Sequence, residues 1–250
     1  MKINRIQQIE DYINQNQTVS IDELREIFKV SKNTIRRDIK QLEEKGVLKK
    51  VYGGVVAVEP SLKNFETRNI DHQEDKMKIA NKAAELIKPN DIIFIDSGTT
   101  TKNILLDLNR EIPFTLITNN LDVINLAIEF PFVEIILIGS TYKRLTRSFV
   151  DTTENLVVSK LNIDIAFMAA TGFSINNGMS NADPLEHAIK KQIVNRAQQV
   201  FLLSDISKLG KSALYSYAPL DTLKGIIVNE SLSEEYLNYF EEHQITVYVV

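Results

Sequence analysis

Seven short, almost wholly apolar runs limit what this chain can fold into more than any other feature. They occupy residues 92–95, 114–117, 133–138, 165–168, 200–203, 225–228 and 246–249. A strand with one wet face alternates apolar and polar residues, whereas a short strand without alternation is covered on both faces. Helical patterns separate most of the runs. One is the stripe Ile79, Ala80, Ala83, Leu86 and Ile87, and others lie at 100–108, 121–129, 184–198 and 233–243. This order predicts an open, mostly parallel α/β sheet with helices on both faces, spanning residues 75–250.

Ligands of such sheets collect at the carboxyl ends of the strands. The first run leads into Asp96-Ser97-Gly98-Thr99-Thr100-Thr101 and a helix start. Glycine permits close backbone approach, and N–H groups and hydroxyls at a helix start suit a phosphate. The Gly-Lys-Ser/Thr ending of a nucleotide-binding loop is missing. The alternative there is a plain helix cap with extra threonines. The next run ends in Thr118-Asn119-Asn120, suited to holding hydroxyls, and the third leads to Lys143-Arg144 and Arg147-Ser148-Phe149. Others end in Ala169-Ala170-Thr171-Gly172 and in Ser204-Asp205-Ile206-Ser207-Lys208. A rim of this composition suits a phosphorylated polyol, sugar or sugar acid. The candidate contacts are Asp96, Ser97, Gly98, Thr99, Thr100, Thr118 and Asn119, with Lys143, Arg144, Arg147, Thr171, Gly172, Asp205 and Lys208. Each has a bland reading too: Lys143 and Arg144 as solvated cations, Asp205 as a turn cap.

The first 58 residues follow another pattern. Ile3, Ile6, Ile9 and Ile13 mark an amphipathic helix, and Thr18-Val19 is a short extended piece. Ser20 and Glu23 form a capping box opening a second helix with Leu24, Ile27 and Phe28 inward. After Lys29-Val30, Ser31 caps a third helix, with Ile35 and Ile39 on its inner face and Gly46 at its end. Its other face carries Lys32, Asn33, Thr34, Arg36, Arg37 and Lys40. Cations, an amide and a hydroxyl grip phosphates and read base edges. Residues 47–58 read as a β-hairpin turning on Gly53-Gly54. Three helices and a ribbon make a winged helix-turn-helix, with Lys49, Lys50 and Tyr52 on the wing beside a phosphate backbone. The domain organisation expected is thus 1–58 for DNA, a linker at 59–74 beginning Glu59-Pro60, and an effector-binding body at 75–250.

A net charge of -4 alone argues against a nucleic-acid binder. Its distribution does not, since residues 1–57 hold 11 basic against 8 acidic residues and the rest 18 against 25. The small positive excess of the head predicts weak binding by one copy, so two or four copies would act together. The chain holds Cys 0, and His72, His187 and His243 are far apart in sequence. Disulfides, a histidine metal site and cofactors are not expected, and the cytoplasm is the natural compartment.

The series Arg5, Ile9, Ile13, then Ser31, Thr34, Ile35, Arg36, Arg37, Asp38 and Ile39, then Gly53-Gly54, resembles the signature of the DeoR family of bacterial transcription regulators. The body is similar to that family's sensor domain, which belongs with ribose-5-phosphate isomerase and glucosamine-6-phosphate deaminase. Matching segments are Phe65-Glu66-Thr67-Arg68, Asp96-Ser97-Gly98-Thr99-Thr100, Thr118-Asn119, Arg147-Ser148-Phe149-Val150 and Asp205-Ile206-Ser207-Lys208-Leu209-Gly210. The strings at 30–38, 50–55, 94–102, 142–150 and 166–172 look most like the branch that represses myo-inositol catabolism. That likeness would make the effector a phosphorylated keto-deoxy-gluconate. The resemblance implies a homodimeric or homotetrameric repressor of a carbohydrate or inositol catabolic operon. It would bind double-stranded operator DNA and leave it when a phosphorylated sugar or sugar acid binds. The alternative is a sugar-phosphate isomerase or deaminase bearing an accessory DNA-binding head. The acidic cluster of the enzyme relatives is missing at 169–172, which disfavours that alternative. Glu186 is the closest surviving acid, placed to meet ligand hydroxyls or to cap the helix starting at Pro184. Asp151 stands where the family usually has glycine.

Overall fold

A computed structural model describes residues 5, 6, 8, 9, 12, 13, 18–44, 48–51, 54–57, 72–151 and 157–250. The chain divides into two compact units, Met1–Lys63 and Asn64–Val250.

In the first unit Arg5, Ile6, Gln8, Ile9, Tyr12 and Ile13 are helical. They are followed by β1 (Thr18–Ser20), α1 (Ile21–Phe28), α2 (Lys32–Glu44), β2 (Leu48–Val51) and β3 (Gly54–Ala57). Ile9, Ile13, Val19, Leu24, Ile35, Ile39, Leu42, Leu48 and Val55 form its core. Burying each such side chain contributes about 1.5–3 kcal/mol. Ile27 departs from the expected pattern and is 44% exposed. Ser20 accepts from the Glu23 N–H at 3.0 Å, but the Glu23 carboxylate accepts the Tyr12 hydroxyl at 2.9 Å. That arm of the capping box ties α1 to the first helical segment.

The three strands form one antiparallel sheet in the order β1-β3-β2. Val51 pairs with Gly54, so the two residues between the paired ends are Tyr52 and Gly53, and Gly54 belongs to the strand instead of the turn. The reason is steric. Gly54 also pairs with Ser20 on β1, and a Cβ on it would lie 2.5 Å from the Val19 carbonyl oxygen. Gly46, Tyr52, Gly53 and the segment 65–68 lie outside the described residues, as does nearly all of the expected linker.

The second unit opens with α3 (Gln73–Ala84) and carries a seven-stranded sheet. Its strands are β4 (Ile92–Ile95), β5 (Phe114–Thr118), β6 (Val133–Leu137), β9 (Ile163–Met168), β12 (Ala197–Leu203), β14 (Gly225–Val228) and β15 (Thr246–Val249). Every pairing is parallel, in the order β15-β14-β12-β9-β4-β5-β6. The seven apolar runs are these seven strands. One face packs on α3, a 3-10 turn at Thr101–Leu105 and α4 (Leu121–Ala127). The other packs on α5 (Pro184–Arg196) and α6 (Glu234–Glu242). Alternate residues of β4 serve the two cores, Phe94 on one side and Ile93 and Ile95 on the other.

Helix α5 ends at Arg196, two residues before the expected boundary, and β12 starts at the next residue. Two minor sheets complete the unit: β7 (Thr141–Lys143) with β8 (Ser148–Val150), and β10 (Gly172–Ser174), β11 (Gly178–Asn181) and β13 (Tyr215–Ala218). Among the described residues no helix is long and apolar enough to cross a membrane.

Candidate functional site

The chain carries two candidate surfaces, one on each unit. On the first, Ser31 caps α2 as expected, accepting from the Thr34 N–H at 3.2 Å and sharing a hydrogen bond with its hydroxyl at 2.9 Å. Ile35, Ile39 and Leu42 face the core while Lys32, Asn33, Arg36, Arg37 and Lys40 are exposed, with Thr34 half-buried. Asp38, in the midst of the basic series, turns inward and is fully buried. Arg5 reaches it from the first helical segment, Nε to Oδ2 at 2.9 Å and Nη2 to Oδ1 at 3.3 Å. The pair fixes α2 against that segment, so the outer face is presented from a rigid base.

Three of the expected cations also have acidic partners. Lys32 lies 2.6 Å from Asp22, Lys50 pairs with Glu43, and Lys40 is 3.9 Å from Glu44. Exposed pairs of this kind are weak and exchange readily for other anions. Lys49 is exposed on β2, and Tyr52 lies outside the described residues.

In the second unit the chain runs from β4 outward to β5 and β6, then returns to place β9 on the opposite side of β4. The crevice between the ends of β4 and β9 is therefore the topological switch point, where open α/β sheets bind ligands. Asp96 sits there, fully buried. It accepts the Ala169 N–H at 2.8 Å and the Ser97 N–H at 2.8 Å, and forms an ion pair with Lys190 of α5. Lys190 also donates to the Ala169 carbonyl at 3.0 Å, as does the Tyr217 hydroxyl at 3.0 Å. Burial, then the nearby Asp96, holds the Tyr217 phenol well above its usual range, so it stays a donor. Gly98 is required for close packing, since a Cβ there would lie 2.4 Å from that of Ala169. The backbone N–H groups of Thr99 and Thr100 donate to no backbone carbonyl among the described residues.

Glu186, one turn before Lys190 on α5, gathers the next layer. One of its oxygens accepts the Ser97 hydroxyl at 3.1 Å and the Ser148 hydroxyl at 2.8 Å. Thr146 shares a hydrogen bond with Ser148 at 2.7 Å. Asp183 caps α5 through the Leu185 and Glu186 N–H groups at 2.9 and 3.2 Å, and pairs with Lys143. Thr118 donates to the Ile95 carbonyl at 2.6 Å. The Asn119 amide nitrogen donates to the Phe149 carbonyl at 3.1 Å, and that of Asn181 to the Asp183 carbonyl at 2.8 Å. These bonds fix both amides, and both Oδ1 atoms are buried with no hydrogen-bond partner among the described residues.

The rim thus joins Asp96, Ser97, Glu186 and Lys143 in one network, with Thr118 and Asn119 beside it. It does not assemble a free cation cluster. Arg147, in left-handed backbone at φ 54°, pairs with Asp122, its Nε 3.0 and 3.1 Å from the two oxygens. Asp122 belongs to a cleft of about 300 Å3 that Lys102, Asn103, Leu106, Asn125 and Leu126 also line. Arg144 is exposed, and Lys208 is half-buried in its own turn. Asp205 accepts from the Ser207 N–H at 3.1 Å, so it caps a turn. Gly172 packs against the Lys211 backbone, and Thr171 donates its N–H to the Ser180 carbonyl at 2.8 Å. Sequence reasoning missed Lys190, Asp183, Asn181, Thr146 and Tyr217. Only the four-residue spacing of Glu186 and Lys190 offered a signal.

Burial raises the Glu186 carboxyl above the ordinary glutamate range, with Lys190 opposing. A raised acid contributes stability that is present below its unfolded value and lost as pH rises through the folded value. Glu186→Gln keeps an acceptor for both serines and has no charge to bury. We expect it to melt a few degrees higher near pH 7, with the difference vanishing as pH falls toward the ordinary glutamate range. Melting curves at stepped pH check this.

Comparison with known proteins gives matches over nearly the whole chain. The DeoR-like helix-turn-helix domain matches residues 5–61 and the DeoR C terminal sensor domain matches residues 71–230. The HTH-type transcriptional regulator IolR of Bacillus subtilis is 49% identical over 250 residues, covering 100% of both chains. The lactose phosphotransferase system repressor of Staphylococcus epidermidis is 31% identical over 240 residues, 92% of this chain and 93% of that one. A solved ribose 5-phosphate isomerase A from Methanocaldococcus jannaschii aligns at 20% identity and TM-score 0.42, covering 56% of this chain and 55% of that one.

Proposed function

This chain belongs to the DeoR family of transcriptional regulators, and we propose that it represses a carbohydrate or inositol catabolic operon until a phosphorylated effector binds its second unit. It is a DNA-binding regulator and not an enzyme. The observation that carries the reading is the pairing of an exposed basic helix face with a buried polar crevice at a sheet switch point. On α2, Ser31 orients the helix start. Arg36, Arg37, Lys32, Lys40, Lys49 and Lys50 meet phosphates, while Asn33 and Thr34 meet base edges. At the crevice, the Thr99 and Thr100 N–H groups suit a phosphate. Glu186 and the Asn119 and Asn181 carbonyl oxygens are acceptors, which suits hydroxyls of a sugar or sugar acid. Two or four copies would act together, because one head carries little positive excess. The Staphylococcus epidermidis relative, named as a repressor, supports the direction of control, and the Bacillus subtilis relative, named as a transcriptional regulator, supports the DNA-binding role.

The test is a melting panel of phosphorylated sugars and sugar acids, each beside its unphosphorylated counterpart. A ligand at a hundredfold its Kd stabilises by about 2.7 kcal/mol, roughly 5–10 °C for a unit of this size. We expect a phosphorylated compound to shift melting and to release operator DNA, and its unphosphorylated counterpart to do neither. Shifts by the unphosphorylated compounds alone would remove the phosphate from the reading, and no shift with any compound would remove the crevice.

A further inference from the structure

The β7–β8 hairpin forms a two-stranded sheet of its own, apart from the seven-stranded sheet. It is attached to the rim in two different ways. Toward β5 the attachment includes backbone pairing: the Phe149 N–H donates to the Asn119 carbonyl at 2.7 Å and Asn120 bridges to Ser148, with the Asn119 amide nitrogen also donating to the Phe149 carbonyl at 3.1 Å. Gly139, at φ 94°, packs so closely there that a Cβ would lie 2.5 Å from the Phe149 carbonyl carbon. Toward α5 the described attachments are side chains: Ser148 to Glu186 at 2.8 Å, and the Lys143–Asp183 pair. Glu186, 7% exposed, receives the Ser148 hydroxyl, and Ser97, 5% exposed, donates to the same oxygen at 3.1 Å.

From this asymmetry we infer that the hairpin is a strap hinged on β5 and latched on α5, and that small molecules reach Ser97 and Glu186 only when the latch parts. Backbone ladders open together and rarely, whereas the latch is a single ion pair, partly exposed on its Lys143 side and buried on its Asp183 side, and a single hydroxyl bond. The Lys143 side chain is 27% exposed, so solvent anions reach the latch from outside. The inference concerns access alone and does not depend on the identity of the effector.

The chain has Cys 0, so one introduced thiol reports on one place. In Ser97→Cys the thiol lies beside Glu186, the partner of the Ser148 hydroxyl, and in Val228→Cys it is fully buried within β14. Labelling by a small thiol reagent is measured in each, with and without Lys143→Ala. We expect latch removal to speed labelling at position 97 at least tenfold and to leave position 228 unchanged. An equal rise at both sites would mean general loosening, and no rise at position 97 would mean the latch does not gate entry; either overturns the inference. Hydrogen exchange of Lys143→Ala with Ser97 intact supplies an independent reading. Faster exchange confined to residues 141–150 supports the strap, and unchanged exchange there overturns it.

Discussion

Arg37→Ala is expected to lower affinity for operator DNA roughly tenfold to a hundredfold while leaving both units folded. Arg37 is exposed on α2 and has no ion pair or side-chain hydrogen bond among the described residues, so its loss breaks neither kind of bond there. Arg36 alongside it lies close enough to Asp22 to lower that carboxyl, a smaller effect than that of Lys32, so its variant would mix two causes. Binding measured across a salt series separates the two possible roles. Loss of a phosphate contact reduces the salt slope by about 1 and weakens all sequences alike. Loss of a base contact leaves the slope intact and relaxes preference at one position. Asp38→Ala is the instructive contrast, because it strips Arg5 of its partner and should lower head stability and DNA binding together. If Arg37→Ala behaved like Asp38→Ala, its assignment to the DNA face would be wrong.

The second large effect is expected at the bottom of the crevice. Lys190→Ala leaves the Asp96 carboxylate buried opposite an empty site. Breaking one side of a buried pair costs about 3–5 kcal/mol, and for a unit of this size that lowers melting by roughly 6–20 °C. Removing both charges in Asp96→Asn with Lys190→Met should cost less than the sum of the single changes Asp96→Asn and Lys190→Met. The double variant keeps the bulk and has no lone charge, and non-additivity is the mark of direct coupling. If the double variant melted at the sum of the two single losses, the pair would be a coincidence of proximity. Effector binding should fall in Lys190→Ala even below its melting temperature, because Asp96 orients both Ser97 and the Ala169 backbone.

What the sequence revealed and what it hid follow from range. Each of the seven strands declares itself in a few consecutive residues, and their alternation with helices implies a parallel sheet with a rim at the strand ends. The placement of β9 beside β4 that makes the crevice is visible only in the fold. The exposed basic face of α2 was equally legible, since residues four apart on a helix share a side whatever surrounds them. Asp38 was not. It reads as a lone acid among cations until the fold brings Arg5 to it across 33 residues. Lys190 and Asp96 are 94 residues apart and meet only because β4 and α5 share one end of the sheet. The minor strands were missed because pieces such as 141–143 and 172–174 are too short and too polar for periodicity to mark. The expected cation cluster failed for the same reason. Composition counts lysines and arginines, while Asp122 and Asp183 decide whether two of them are already engaged.

The direct passage from α5 into β12 has a mechanical consequence. With no residue between Arg196 and Ala197 to take up slack, α5 can advance along its axis only by dragging β12 past β9 and β14. That slide would break ladders at the centre of the sheet. The wall of the crevice holding Glu186 and Lys190 is therefore an anvil, and a ligand pressing on it displaces whatever lies opposite.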